Sequence, residues 1–130
     1  MKSRIEDAVA KKSCGSHSCS QAIVSAYADV AGLDEDTARN VACAFSAGMG
    51  NMEGTCGALT GAAIVLGLVR RDKARAMGDM RQIMTRFKQR NGATQCRLLK
   101  GADSKLPLRA CNDCVADAAE FLDEVLNDVK

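Results

Sequence analysis

Gly48-Met49-Gly50-Asn51-Met52-Glu53-Gly54-Thr55-Cys56-Gly57-Ala58-Leu59-Thr60-Gly61 is the stretch against which the rest of the chain is read. Gly48, Gly50 and Gly54 permit positive φ, which suits a tight turn leaving one helix and entering another. Beyond Gly54 the pattern is apolar and helical through Leu68, with Thr55 placed to cap the helix and Cys56 to be its first residue. A sulfur there meets unpaired backbone N–H groups and the positive end of the helix dipole, which favour thiolate over thiol. Cys56 is therefore a candidate reactive or ligating cysteine at the mouth of a central helix.

The surrounding composition extends that helix to the whole chain. At 130 residues, a single domain can remove about two thirds of its unfolded surface from water. Hydrophobic content is 47%, yet there are only three Phe, one Tyr and no Trp, so the core is aliphatic and Ala-rich. One Pro among abundant Ala, Leu and Met points to an all-α fold, a compact bundle of about five to six helices with no substantial sheet. The longest apolar run, Cys56 to Val69, holds 14 residues and three glycines, too short to span a bilayer. The charged N-terminal stretch lacks a secretory pattern, and the expectation is a cytoplasmic chain without direct membrane insertion.

In chain order, residues 3–12 read as an amphipathic helix with Ile5, Ala8 and Val9 on one face. Ser18 and Gln21 form a capping box for a helix carrying Ile23, Val24, Tyr27 and Val30 and stopping at Gly32. Asp34 or Asp36 caps the next, with Ala38, Val41, Ala42 and Phe45 as its stripe. Gly57-x-x-x-Gly61 in the central helix gives a smooth ridge for close packing, within the chain or in a homodimer. Residues 72–91 form the longest helix, whose seam of Met77, Met80, Met84 and Phe87 reads as core rather than as a soft-metal site. Thr94 can cap one turn holding Cys96, and Asn112 or Asp113 can cap a last helix with Val115, Ala118, Ala119, Leu122, Val125 and Leu126 on its apolar face.

Net charge is only +2, but residues 70–100 carry ten Lys or Arg against two Asp, and residues 101–130 three against seven acidic residues. A basic helix paired with an acidic one explains this, and without interleaved aromatics a nucleic-acid partner is not expected.

The seven cysteines, Cys14, Cys19, Cys43, Cys56, Cys96, Cys111 and Cys114, form an odd set that argues against a closed disulfide framework and for metal or redox chemistry. Cys19, Cys56, Cys96 and Cys111 each fall at or just before the first turn of an expected helix. Were those starts to converge, four thiolates would meet where amides offset negative charge. An iron-sulfur cluster with four thiolate ligands suits such a centre. Cys111-x-x-Cys114 has no matching second pair and is weak as a zinc signature. Cys43 reads as a small buried apolar residue, and His17 as a partly exposed loop residue with no role, ahead of a ligand or proton donor.

In order along the chain, Cys19-Ser20-Gln21-Ala22, Phe45-Ser46-Ala47-Gly48-Met49-Gly50, Gly54-Thr55-Cys56-Gly57-Ala58-Leu59-Thr60-Gly61, Phe87 to Gly92 leading to Cys96-Arg97-Leu98-Leu99, and Cys111 four residues before Val115 resemble the family of redox-active proteins named for the pattern C-GCAxxG-C-C. The resemblance places the family's four shared cysteines on Cys19, Cys56, Cys96 and Cys111 and leaves Cys14, Cys43 and Cys114 outside the pattern. It implies a small helical protein, often encoded near transporter genes. A similar domain stands beside haem in split-Soret-type cytochromes, where an iron-sulfur centre is the implied cofactor; the present chain has no Cys-x-x-Cys-His attachment sequence. The reading that results is a redox protein binding an iron-sulfur cluster, [2Fe-2S] foremost, for electron transfer or redox sensing with an unidentified redox partner protein. The alternatives are a metal-free thiol-disulfide protein and a structural zinc or partner-binding module associated with a transporter.

Overall fold

The computed structural model describes residues 3–101 and 106–127, so positions 102–105 of the expected loop before the last helix lie outside the described residues. Within them the chain is α-helical: α1 (Arg4–Ser13), α2 (Cys19–Ala26), α3 (Ala28–Ala31), α4 (Glu35–Ala42), α5 (Gly57–Arg70), α6 (Lys73–Asn91), α7 (Cys96–Leu99) and α8 (Cys111–Leu126). Since α3 and α7 are single turns of four residues, the bundle is built from the six longer helices. The pairing of Thr55 with Gln95 is an isolated antiparallel bridge between loops. Among the described residues no helix is long and apolar enough to cross a membrane.

Local chemistry sets most helix starts where the sequence puts them. Ser3 with Glu6 and Ser18 with Gln21 form complete capping boxes for α1 and α2. Asp34 accepts from Thr37 N–H at 2.7 Å, and Asp72 accepts from Arg75 N–H at 2.9 Å. Gly32 and Gly92 close α3 and α6 in the left-handed conformation.

At the centre lies α5, its Ala58, Leu59, Ala62, Val65 and Leu66 buried between α2, α6 and α8. The Gly57/Gly61 ridge is filled by α2 of the same chain: a methyl at Gly61 would stand 2.9 Å from the Ser20 carbonyl oxygen and 3.0 Å from Ile23 Cβ. The buried face of α8 holds Val115, Ala118, Ala119, Leu122 and Val125, and α1 lies across α8 and α2. The charge asymmetry resolves into pairing, with Arg86 on Glu124 at 3.0 Å and Arg90 on Asp117 and Glu120 at 2.9 and 3.0 Å.

Several apolar expectations are corrected. Met77, Val30 and Val41 are exposed, and the α6 seam runs through Ile83 and Phe87 with Met80 and Met84 half-buried beside them. The α4 helix stops at Ala42 and gives way to a tight turn, so Cys43 is exposed rather than buried in mid-helix.

Candidate functional site

The glycine-rich turn before α5 forms a wall of a cavity through Ala47. Ala47, Gly48, Met49 and Gly50 all take positive φ, at 52°, 61°, 67° and 89°, and Met52 follows at 69°. For a non-glycine residue this conformation costs about 1–2 kcal/mol, so Ala47, Met49 and Met52 are held there by their surroundings. Gly48 admits no side chain, since a Cβ would stand 2.5 Å from Cys96 Cβ and 2.9 Å from the Gly54 carbonyl oxygen. Next to this turn Cys96 N–H donates to Gly54 O at 2.9 Å and Cys56 N–H donates to Thr94 O at 2.8 Å. These bonds and the Thr55–Gln95 bridge lay Cys56 beside Cys96.

Two expected caps are thereby displaced. Thr55 and Thr94 spend themselves on this crossing of loops, which leaves Cys56 and Gln95 as the cap positions of α5 and α7, neither forming a side-chain cap bond. At α8 the helix begins at Cys111 itself with Ala110 at the cap position, so neither Asn112 nor Asp113 caps it.

Cys19 is delivered by the first turn of α2, fixed where Ser46 Oγ donates to Ser18 Oγ at 2.7 Å and Ser20 Oγ donates to Ala42 O at 2.9 Å. Gly57 allows the approach: a Cβ there would lie 3.3 Å from Cys19 Cβ. The entry to α8 is held by Arg109, whose guanidinium donates twice to Asp117 at 3.0 Å. Burial raises the Asp117 carboxyl, but donors on Arg109, Asn91 and Arg90 outweigh it and hold the group below the usual carboxylate range.

The result is a cavity of about 150 Å³ lined by Cys19, Cys56, Cys96 and Cys111 together with Cys114. Lys12, Lys100 and Arg109 also line it, and among the described residues no carboxylate does. Cys114 is the residue that the sequence reading left open, and it is 2% exposed. Its signal was the three-residue step from Cys111, which on a helix puts both side chains on one face. Cys14 and Cys43 are exposed and lie outside the cavity. His17 is buried rather than an idle loop residue: its Nδ1 lies 2.6 Å from Ser16 Oγ and its Nε2 lies 2.8 Å from Glu35 Oε1, tying the α1–α2 loop to α4 away from the cavity lining.

Four of the thiols act on one another in two pairs. Cys19 pulls Cys111 down to about 6 against the opposing effect of burial, and Lys100 and Lys12 add to it. Cys111, with burial, pushes Cys19 up. Cys56 is lowered first by Cys114, against burial, with help from the amides of Ala58 and Leu59. Cys114, whose Sγ donates to the Arg109 carbonyl oxygen at 3.9 Å, is raised by Cys56 and by burial, and burial likewise raises Cys96, tempered by Lys100. Within each pair one sulfur is lowered and the other raised, and the two groups titrate as a unit.

A family model described as "Putative redox-active protein (C_GCAxxG_C_C)" matches residues 17–125. The chain belongs to this family. No curated protein and no solved structure matches the chain. The matched span contains every cysteine of the cavity and excludes Cys14.

Proposed function

We propose that this member of the redox-active family is an electron-transfer or redox-sensing protein whose centre is an iron-sulfur cluster, [2Fe-2S], held by Cys19, Cys56, Cys96 and Cys111. One observation carries the reading: four thiols from four separate helix starts line a single cavity whose charged lining, among the described residues, is cationic. The donor set fits in kind, being sulfur throughout, with the thiolate already favoured at Cys56 and Cys111. Among the described residues no three His, Cys, Asp or Glu side chains are gathered as a single metal ion needs. When bound, such a cluster supplies reversible one-electron transfer. The chain's own contribution is to compensate its negative charge with Lys12 and Lys100 and to exclude solvent with Leu99 and the strained turn.

A metal-free thiol-disulfide protein is the second reading, favoured by the five free thiols that share one cavity. Visible spectroscopy of anaerobically purified protein separates the two. Absorbance that bleaches on dithionite addition supports the cluster. A colourless protein that loses two or four thiols reversibly on oxidation supports the dithiol instead, and zinc at one per chain without a redox response sinks both.

A further inference from the structure

Helix α6 packs against α5 and α8 and leaves its opposite face open. Of the cations on and beside it, Arg70, Arg86 and Arg90 are held by Asp79, by Glu124, and by Asp117 with Glu120. Arg71, Lys73, Arg75, Arg81 and Lys88 are exposed, and none of them forms an ion pair among the described residues. From Arg71 to Lys88 they run about 25 Å along the helix. Two of them stand where the fold opposes them. Arg71 occupies the left-handed cap of α5 at φ 54°, a place that glycine takes without strain. Lys73 is the first residue of α6, with no acidic residue in the first turn, so it meets the positive end of the helix dipole. Residues that break a local rule with no gain to the fold mark a use outside it.

We propose that α6 docks the protein on the surface of a membrane with anionic headgroups, to which Arg71, Lys73, Arg75, Arg81 and Lys88 supply the attraction. The net charge of the chain is only +2, so the attraction belongs to this face and not to the molecule as a whole. Met77 is the one large apolar side chain exposed on α6, and Ala74, Gln82, Thr85 and Gln89 make up much of the rest of the open face. Such a face lacks the apolar centre of a stable protein interface. Cations strung along a helix, rather than converging on one point, match an extended anionic surface. The docking is peripheral, since among the described residues no helix is long and apolar enough to cross a membrane. It is independent of what the thiol cavity holds.

The test is co-sedimentation of the full chain with vesicles of phosphatidylcholine and phosphatidylglycerol at low salt. Binding that is absent on phosphatidylcholine alone and falls as salt rises is the expected result. Two variants separate the face from the fold. Arg71→Gly relieves the left-handed strain and removes one charge, so it should bind about fivefold more weakly while resisting urea at least as well as wild type. Lys73→Glu complements the helix dipole and reverses one charge, so it should bind about 25-fold more weakly, again without loss of stability. Lys11→Gln, on α1 and paired with Asp7, should leave binding unchanged. Absence of binding to the anionic vesicles, or a loss in Lys11→Gln as large as in Lys73→Glu, overturns the proposal. So does tighter binding of poly-glutamate or duplex DNA than of the vesicles at the same salt. Iron and thiol content do not enter the readout: a colourless chain that binds the vesicles loses the cluster and keeps the docking face, while a coloured chain that ignores them does the reverse.

Discussion

At the starts of α4 and α6 an aspartate closes the helix, Asp34 onto Thr37 N–H and Asp72 onto Arg75 N–H. At the starts of α5 and α8 no side chain does so, and a cysteine stands at the opening instead. The starts of α4 and α6 lie outside the cavity and those of α5 and α8 lie on it, as does the start of α2, which Ser18 caps. Four unpaired amides at a helix start hold part of a positive charge. Where the fold alone is at stake, the chain neutralises that charge with its own carboxylate. At α5 and α8 it leaves the charge for sulfur. The cations follow the same division: Arg86 and Arg90 on α6 are met by Glu124, Asp117 and Glu120, whereas Lys12 and Lys100 face thiols.

The contrast breaks most visibly at the turn that delivers the open starts. Gly48→Ala should cost on the order of 3 kcal/mol in urea unfolding, from positive φ and overlap with Cys96 together. Gly78→Ala on α6, where a methyl meets nothing within 4 Å, should instead stabilise by about 0.5–1 kcal/mol.

Next is Asp117, which anchors the cavity's Arg109 to the paired flank. Its side chain is 4% exposed and its two arginine partners are 35–39% exposed, so Asp117→Asn should cost about 2 kcal/mol, below the range for a fully buried pair. Because the folded carboxyl is depressed, its contribution is present above the unfolded value of about 4 and is lost as pH falls through the lower folded value. Acid unfolding curves should therefore flatten in the variant below about pH 4.

At the cavity, alkylation of Cys111 should titrate at about 6, with the reactive thiolate present above that pH and lost below it. Cys19→Ala removes the main influence that lowers Cys111 and should move the midpoint upward, slowing alkylation at neutral pH by about tenfold. An unmoved midpoint would show that the two thiols do not share a proton.

Caps give a smaller effect with opposite signs at the two kinds of start. Asp72→Ala should cost about 1 kcal/mol, and Ala110→Ser, at a position already in the extended cap conformation, should gain about the same. Smallest is Glu124→Gln, which breaks an exposed pair and should change stability by under about 1 kcal/mol.

Much of this division was legible in the residues. Ser18 with Gln21, and Asp34, announced their helix starts because local hydrogen bonding decides them. The Gly57/Gly61 ridge announced a close contact because only glycine leaves room for it. The four helix-start cysteines do line one cavity, although the family pattern alone says nothing of what they hold. What was not legible depended on distant contacts. Thr55 was assigned a cap, and its real partner is Gln95, forty residues on. The consecutive left-handed residues Ala47 to Gly50 follow no local preference, since alanine and methionine avoid that conformation unless the fold imposes it. Cys43 and Met77 were placed inward on the assumption of regular helix faces, which the early end of α4 and the exposed flank of α6 do not honour.

The central claim is that four helix starts gather thiols around one redox cofactor. Iron and acid-labile sulfide, measured on anaerobically purified wild type beside a folded Cys56→Ser variant, test it most directly. About two irons and two sulfides per chain in the wild type, with most of both lost in the variant, is the result expected for a [2Fe-2S] centre. Equal and negligible iron in both, with the fold intact, would contradict it.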